Sequence, residues 1–353
     1  MQTGVTYDTG FVGRGRRSTR TAFDPDVVRQ EMEIIRRDLR CDAVRITGGD
    51  QDRLALAARC AADAGLEVWY SPFTCDLSPD ELVEFLAESA ERAERLRKRG
   101  AEVVLLTGSE LSLFTTGFLP GPTLDDRLAL LGQPDRLRKA VPEVPARIND
   151  FLAEAVGVVR ARFGGRVSYA SLPVDGVDWT PFDIISSDAG YRSAETAGGF
   201  ASSIRDAVAQ GKPFAVTEFG CTTYRGAAAM GGRGDSVIEW GPGGAPLRLR
   251  GQHIRDEQEQ ARYVSELLEI FAVAGVHTAF VNTFARYDLP HRGGHLEDDL
   301  DLVSYGIVKV LERTTGTRYP HLPWEPKASF DALAAFGHSQ GTADSTCRPG
   351  NKR

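Results

Sequence analysis

Short apolar or β-branched runs alternate along the chain with longer amphipathic stretches, and this alternation is the strongest signal in the sequence. Gly4 to Asp8 (GVTYD) predicts a first strand. Asp24-Pro25 then opens a helix to Leu39, with Asp at the cap and Pro in the first turn. Asp42 to Thr47 (DAVRIT) predicts a second strand, followed by a helix over Gln51 to Ala64. Leu66 to Phe73 predicts a third, and Ser78-Pro79-Asp80-Glu81 caps a long helix to Arg99. Glu102 to Thr107 (EVVLLT) predicts a fourth, whose helix is delayed by a loop containing Pro120, Gly121 and Pro122. Val167 to Leu172 and Phe182 to Ser187 predict the fifth and sixth, with a helix over Ser193 to Gln210. Pro213 to Phe219 (PFAVTEF) predicts the seventh, and Val237 to Leu249 reads as a hairpin inserted after it. A clear amphipathic helix covers Asp256 to Ala272, His277 to Thr283 predicts the eighth strand, and Ser304 to Glu312 is expected to start a last helix.

Eight strands, several of them apolar almost throughout and most followed by a helical stretch, argue for parallel pairing buried on both faces. A (β/α)8 TIM barrel with insertions after strands four, seven and eight is the economical fold, occupying residues 1–338. A doubly wound open sheet would bring a glycine-rich phosphate turn after an early strand. Gly13-Arg14-Gly15 lacks the third glycine and opens no helix. The polar stretch from Ser339 to Arg353 is expected to be a disordered tail.

Composition narrows the partners. The 353 residues carry a net charge of −7, which gives no support to nucleic-acid binding. Of 42 basic residues only 6 are lysine, a skew expected of a GC-rich genome before it is chemistry. The five cysteines have no CxxC and no regular spacing, as expected of buried thiols in a reducing compartment. Met1 to Arg20 has no apolar core of a secretory signal, and no run approaches the roughly 20 apolar residues of a spanning helix. A cytoplasmic protein that does not enter the membrane is therefore expected.

Catalysis in a (β/α)8 barrel takes place at the C-terminal ends of the strands. Those ends carry Asp8, Arg45, Trp69 with Tyr70, Ser109-Glu110, Asp188 with Tyr191, Glu218 and Asn282. Glu110 and Glu218 both follow apolar runs (VVLLTGSE and FAVTEFG). Desolvation at such positions separates carboxyl pKa values and leaves one acid and one base, the pair that glycoside cleavage uses.

These residues resemble the large clan of retaining (β/α)8-barrel glycoside hydrolases, the cellulase-like superfamily. Lys212-Pro213-Phe214-Ala215-Val216-Thr217-Glu218-Phe219-Gly220 is similar to the clan's nucleophile strand, and Leu105-Leu106-Thr107-Gly108-Ser109-Glu110 to its acid/base strand. The resemblance implies Glu218 as nucleophile and Glu110 as acid/base. It places Arg45 near the nucleophile, with Tyr191 orienting it. Ser304-Tyr305-Gly306-Ile307-Val308 and Pro323-Trp324-Glu325-Pro326-Lys327 resemble clan endings. The clan's pattern has Asn before the acid/base Glu, where this chain has Ser109.

The expected substrate is a small glycoside or oligosaccharide, with no cofactor and no metal. Arg45, Ser109, Tyr191, Asn282 and Asp8 are candidate substrate contacts, and Trp69 and Trp240 candidate sugar platforms. Ser109 keeps open a lyase, isomerase or cyclase that uses the same carboxylates, and a non-catalytic binding barrel is the third reading. Arg14, Arg16, Arg17 and Arg20 sit in the loop after strand one, either as an anion site or as a solvated face. His291 and His295 have a ligand-like spacing, but Gly293-Gly294 argues against the helix that would bring them together.

Overall fold

The computed structural model describes residues 1–346. Eight strands build the barrel: β1 (Gln2–Asp8), β2 (Ala43–Gly48), β3 (Glu67–Pro72), β4 (Val103–Ser109), β5 (Arg166–Ala170), β6 (Ile185–Ser187), β7 (Phe214–Phe219) and β8 (Thr278–Val281). They pair in parallel in the order β5-β4-β3-β2-β1-β8-β7-β6. The β5–β6 seam lacks a continuous ladder. It is closed by a bridge between Ser171 and Ser187 and by the buried Ser168 and Ser186 hydroxyls, 2.6 Å apart.

Helices α1 (Pro25–Arg37), α2 (Gln51–Asp63), α3 (Pro79–Arg97), α4 (Val144–Arg160), α5 (Ala197–Val208), α6 (Glu257–Ala274) and α7 (Ala328–Thr346) surround the sheet. The predicted caps form. Asp24 accepts from the Asp26 amide with Pro25 behind it, and Ser78 and Glu81 make a reciprocal capping box. The connection between β5 and β6 is a short 3-10 turn, Pro173–Asp175, in place of a full helix.

The pleat sorts the strand residues between two cores. Outward-facing Val44, Ile46, Val68, Tyr70, Val103 and Leu105 pack beneath the helices. Inward-facing Ala43, Trp69, Val104, Leu106, Ala170, Ile184, Ala215 and Phe280 fill the barrel interior. Gly4 is required at this layer, because a Cβ there would lie 2.5 Å from the Ala43 carbonyl and 2.7 Å from the Phe280 ring. The next inward layer, toward the strands' C-terminal ends, is polar and forms the floor of the site.

The structure corrects the C-terminal reading. Ser304 to Glu312 is extended, and Val308–Val310 pairs antiparallel with Trp324–Pro326. The β-branched Ile307, Val308 and Val310 side chains are buried there, and the Ile307 amide bonds the Thr283 carbonyl. α7 runs into the segment expected as a tail, and residues 347–353 of that segment lie outside the described residues. The hairpin after β7 forms as read, with Ile238–Trp240 paired to Pro246–Leu249. Among the described residues no helix is long and apolar enough to cross a membrane.

One buried carboxylate ties the chain's two ends to the barrel. Glu31 on α1 is fully buried and accepts hydrogen bonds from Tyr7, Tyr287, the Trp324 indole at 2.8 Å and the Arg20 guanidinium at 3.0 Å. Arg20 is itself buried and lies 4.2 Å over the Tyr287 ring. Glu31→Ala leaves that guanidinium in the core without its counter-charge. It is expected to lower the unfolding free energy by about 3–5 kcal/mol, read from the urea midpoint. An unchanged midpoint would show that the cluster does not secure the termini.

Candidate active site

Two features of the backbone aim the fourth-strand carboxyl. The β4–β5 register shifts between Leu106 and Ser109, the signature of a bulge, which turns the strand end inward. Glu110 itself adopts the left-handed conformation, with φ 48° and ψ 45°. A non-glycine residue holds that conformation only where its surroundings impose it. Here β5 does so. The Glu110 amide bonds the Ala170 carbonyl at 2.9 Å, and the Leu111 amide bonds the Tyr169 hydroxyl at 2.8 Å. Tyr169 is fixed in turn by donating to Asp175 at 2.7 Å.

The seventh-strand carboxyl is held by three donors. Arg45 approaches Glu218 Oε1 at 3.1 Å, while the Tyr191 hydroxyl and the Asn282 amide both donate to Oε2 at 3.1 Å. Asn282 also donates to the Tyr191 oxygen at 2.7 Å, so the three groups close a ring. Glu218 keeps 13% of its side-chain surface exposed, facing the cleft.

Arg45 has no exposed surface, and all its donors are used. Its Nε bonds Ser71 at 3.1 Å. Nη1 bonds Asp188 at 2.8 Å and the Thr217 carbonyl at 3.0 Å besides Glu218, and Nη2 bonds Ser109 at 2.9 Å. The Ser109 hydroxyl donates in turn to Asp188 at 2.7 Å. Arg45 and Ser109 therefore do not reach the cleft as the sequence reading expected. They hold the carboxylate that does.

The charges set the two carboxyl groups apart. Burial pushes Glu110 well above the ordinary carboxylate range. The negative charges of Asp188, Glu218 and Asp175 add to this, against the pull of Arg45. Burial and Asp188 also raise Glu218, to about 7, but Arg45 and the Tyr191 hydrogen bond hold it back. Glu218 loses its proton first, and Glu110 keeps one.

The cleft above these groups has a volume of about 900 Å³. Glu110, Glu218, Tyr191, Asn282, Asp8 and Trp240 all line it. Asp8 is occupied with its own loop, accepting from the Gly10 amide at 2.8 Å, the Phe11 amide at 3.1 Å and Thr19. Trp240 lies on the hairpin, 36% exposed, with Arg14 5.1 Å over its ring. Trp69 does not face the cleft. It is fully buried in the barrel interior against Phe280, with ring centres 5.0 Å apart, because the pleat sends it inward one layer below Ser71. Nothing in β3 marks that layer in advance, since an aromatic at a strand end reads equally as core or platform.

Sequence reasoning passed over four groups. Asp188 appeared only as a strand-end residue, yet it neutralises Arg45 in the floor of the site. Asp235, Arg286 and Asp288 line the far wall, where Arg286 forks onto Asp288 through two 2.8 Å bonds. Asp235 lies two residues after Arg233, which pairs with Glu195 at 2.9 Å. The arginines after β1 divide. Arg20 is buried on Glu31, and Arg14 pairs with Asp125 at 3.1 Å across the mouth. His291 bonds Asp299 at 2.9 Å, and no group of three potential metal ligands gathers among the described residues.

No protein-family model matches the chain, and no curated protein matches it in sequence. Solved structures do match. A GH113 β-1,4-mannanase superposes with a TM-score of 0.61 at 16% identity, over 96% of this chain and 99% of that one. The GH113 β-mannanase AaManA from Alicyclobacillus acidocaldarius, in complex with ManMIm, gives 0.56 at 19% identity, over 95% and 96%. At these identities the likeness is one of fold. It confirms the (β/α)8 barrel along almost its whole length.

A carboxyl whose pKa is raised by folding costs stability once the pH passes its unfolded value, and the cost grows until the pH passes the folded one. Glu110→Gln removes that cost. It is therefore expected to raise the melting temperature at pH 8 by clearly more than at pH 5. Equal shifts at both pH values in calorimetry would show that Glu110 is not desolvated as described.

Proposed function

We propose that the protein is a retaining glycoside hydrolase that acts on a small glycoside, with Glu218 as nucleophile and Glu110 as acid/base. The observation that carries this is the ring of donors around Glu218. Arg45, Tyr191 and Asn282 hold one carboxylate oriented, and Arg45 and Tyr191 limit the rise of its pKa, while Glu110, on the opposite wall, is desolvated and keeps a proton. The barrel shared with solved β-1,4-mannanases supports the reading. It makes a β-mannoside the first sugar to try.

In the first step the Glu110 carboxyl gives its proton to the glycosidic oxygen as the bond from that oxygen to the anomeric carbon breaks. A Glu218 oxygen bonds the same carbon from the opposite face, and the protonated leaving group departs. Glu110 is now a carboxylate. In the second step it takes a proton from water while the water oxygen bonds the anomeric carbon and the glycosyl ester to Glu218 breaks. Glu110 regains its proton and Glu218 its charge. Tyr191 and Asn282 both bond Oε2, so Oε1, which bears only the Arg45 contact, is the less encumbered oxygen for attack.

Mass spectrometry after incubation with 2-deoxy-2-fluoroglycosyl fluorides, mannosyl first, is expected to find one sugar on the peptide bearing Glu218, and none in Glu218→Gln. A chain that takes no label and turns over no aryl glycoside of a broad panel would count decisively against the assignment.

The pH dependence follows from the two carboxyl groups. The active form needs Glu218 ionised and Glu110 protonated. kcat/KM should therefore fall below about pH 7 as Glu218 gains a proton, and fall again in alkali as Glu110 loses one. Asp188→Asn removes the charge that raises Glu218, so its acid limb should move to lower pH. A limb that stays in place would show that Asp188 does not set the nucleophile's charge.

A further inference from the structure

We propose that the wall of the cleft beside Glu110 is a subsite for an apolar leaving group, so that the substrate is an alkyl or aryl glycoside rather than an oligosaccharide. This rests on the glycosidase reading above and names the substrate class of the same site.

The cleft walls differ in character: the loop after β1 adds Arg14, Arg17, Ser18, Thr19 and Thr21, and two further walls contrast most. The segments after β3 and β4 line it with Phe73, Leu113, Phe114, Leu124, Leu128 and Leu131, and their only polar contribution is Glu110 itself. Phe11, from the loop after β1, completes this wall. Its ring stacks on Phe73 at 4.5 Å, and Phe114 meets both edge-on, at 5.4 Å and 4.8 Å. The opposite wall, from the segments after β7 and β8, presents Asp235, Asn282, Arg286, Asp288 and Tyr305 beside Glu218.

A sugar ring brings hydroxyls on every edge. Against the phenylalanine and leucine wall they would lose water and find no partner, at a cost for each. The polar wall can replace that water. The two walls therefore suit the two ends of one amphiphilic molecule.

Mechanism fixes which end goes where. An acid that protonates the departing oxygen stands on the leaving-group side of the bond. Leu113 and Phe114 belong to the same short helical turn that begins directly after Glu110, Leu111–Phe114. Whatever is attached to that oxygen lies against them.

The mouth is also bridged. The turn Arg14–Arg16 meets the tip of the hairpin, where a Cβ on Gly15 would lie 2.0 Å from the Gly243 carbonyl oxygen. Arg14 extends the bridge to Asp125 at 3.1 Å, on the segment that carries the leucines. Leu131 remains 46% exposed at the outer end of the wall, where the far end of an alkyl chain would cover it.

The test uses the full chain and a series of n-alkyl β-mannosides and β-glucosides from methyl to octyl, beside the matching β-1,4-linked disaccharides. The alcohols differ little in acidity, so the series varies contact area and not the chemistry of departure. kcat/KM is expected to rise about fourfold per methylene over the first several carbons, equivalent to ~0.8 kcal/mol each. The octyl glycoside should exceed the disaccharide of the same sugar. Leu128→Asn and Leu131→Asn should each lower the octyl-to-methyl ratio several-fold, a ratio that loss of folded protein leaves unchanged.

A flat series, with the disaccharide turned over faster, would overturn the apolar subsite. Labelling by 2-deoxy-2-fluoroglycosyl fluorides separates the two readings, because fluoride does not touch the wall. Label on Glu218 with a flat alkyl series sinks the subsite alone. No label and no turnover overturns both.

Discussion

A fully buried guanidinium holds the mouth of this barrel together. Arg45 lies wholly inside the ring of strands, bonded to groups from β3, β4, β7 and the end of β6. Burying one charge carries a penalty of several kcal/mol unless every donor is matched. Here each match is a strand end that must sit in its place. Ser71, Ser109, Asp188 and Glu218 are thereby set against each other more firmly than packing alone would set them. The barrel supplies the positions, and the arginine makes the arrangement unique.

The same residue explains where the proton sits. Arg45 brings one positive charge to a floor where Asp188 and Glu218 already compete for it. A third negative charge at Glu110 would be opposed by both and would gain little from Arg45, which does not hydrogen-bond it. Glu110 therefore keeps its proton while Glu218 gives one up, and burial together with the surrounding charges tells the two carboxyl groups apart. Ser109 belongs to this arrangement. Its short side chain turns away from the cleft and spans the gap between Arg45 and Asp188.

Much of the fold was legible because both its periods are plain. The runs at Asp42–Thr47, Glu102–Thr107 and Pro213–Phe219 are largely apolar on both faces, apart from the strand-end polar groups such as Arg45 and Glu218, and the capping signals at Asp24-Pro25 and Ser78–Glu81 stood next to clean amphipathic stretches. Ser304–Glu312 misled because Ile307, Val308 and Val310 satisfy either a helix face or a buried edge. Only the pairing with Trp324–Pro326, a contact distant in sequence, decides between them. In the site, Glu110, Glu218, Tyr191 and Asn282 were readable as polar ends of apolar strands. Trp69 and Ser109 were misplaced for one reason: which layer a residue occupies inside a barrel depends on strand stagger, and no local pattern encodes it. Asp188 was overlooked because its importance lies in what it faces, Arg45, which is 143 positions away.

The two levels of the site answer to different parts of the chain. The floor is made of strand ends, and its residues touch one another more than they touch the cleft. The walls are made of loops: leucine and phenylalanine come from the segments after β3 and β4, arginines and hydroxyls from the loop after β1, and the charged groups beside Glu218, with some apolar residues, from the segments after β7 and β8. A change in the floor alters the charge balance that places the proton, and so the chemistry. A change in the walls alters only what can lie beside that chemistry. Since Glu110 stands where the apolar wall begins and Glu218 where the polar one does, the line between the carboxyl groups is also the line between the two kinds of surface. On the reading proposed above, the bond that is broken joins an apolar group to a polar one.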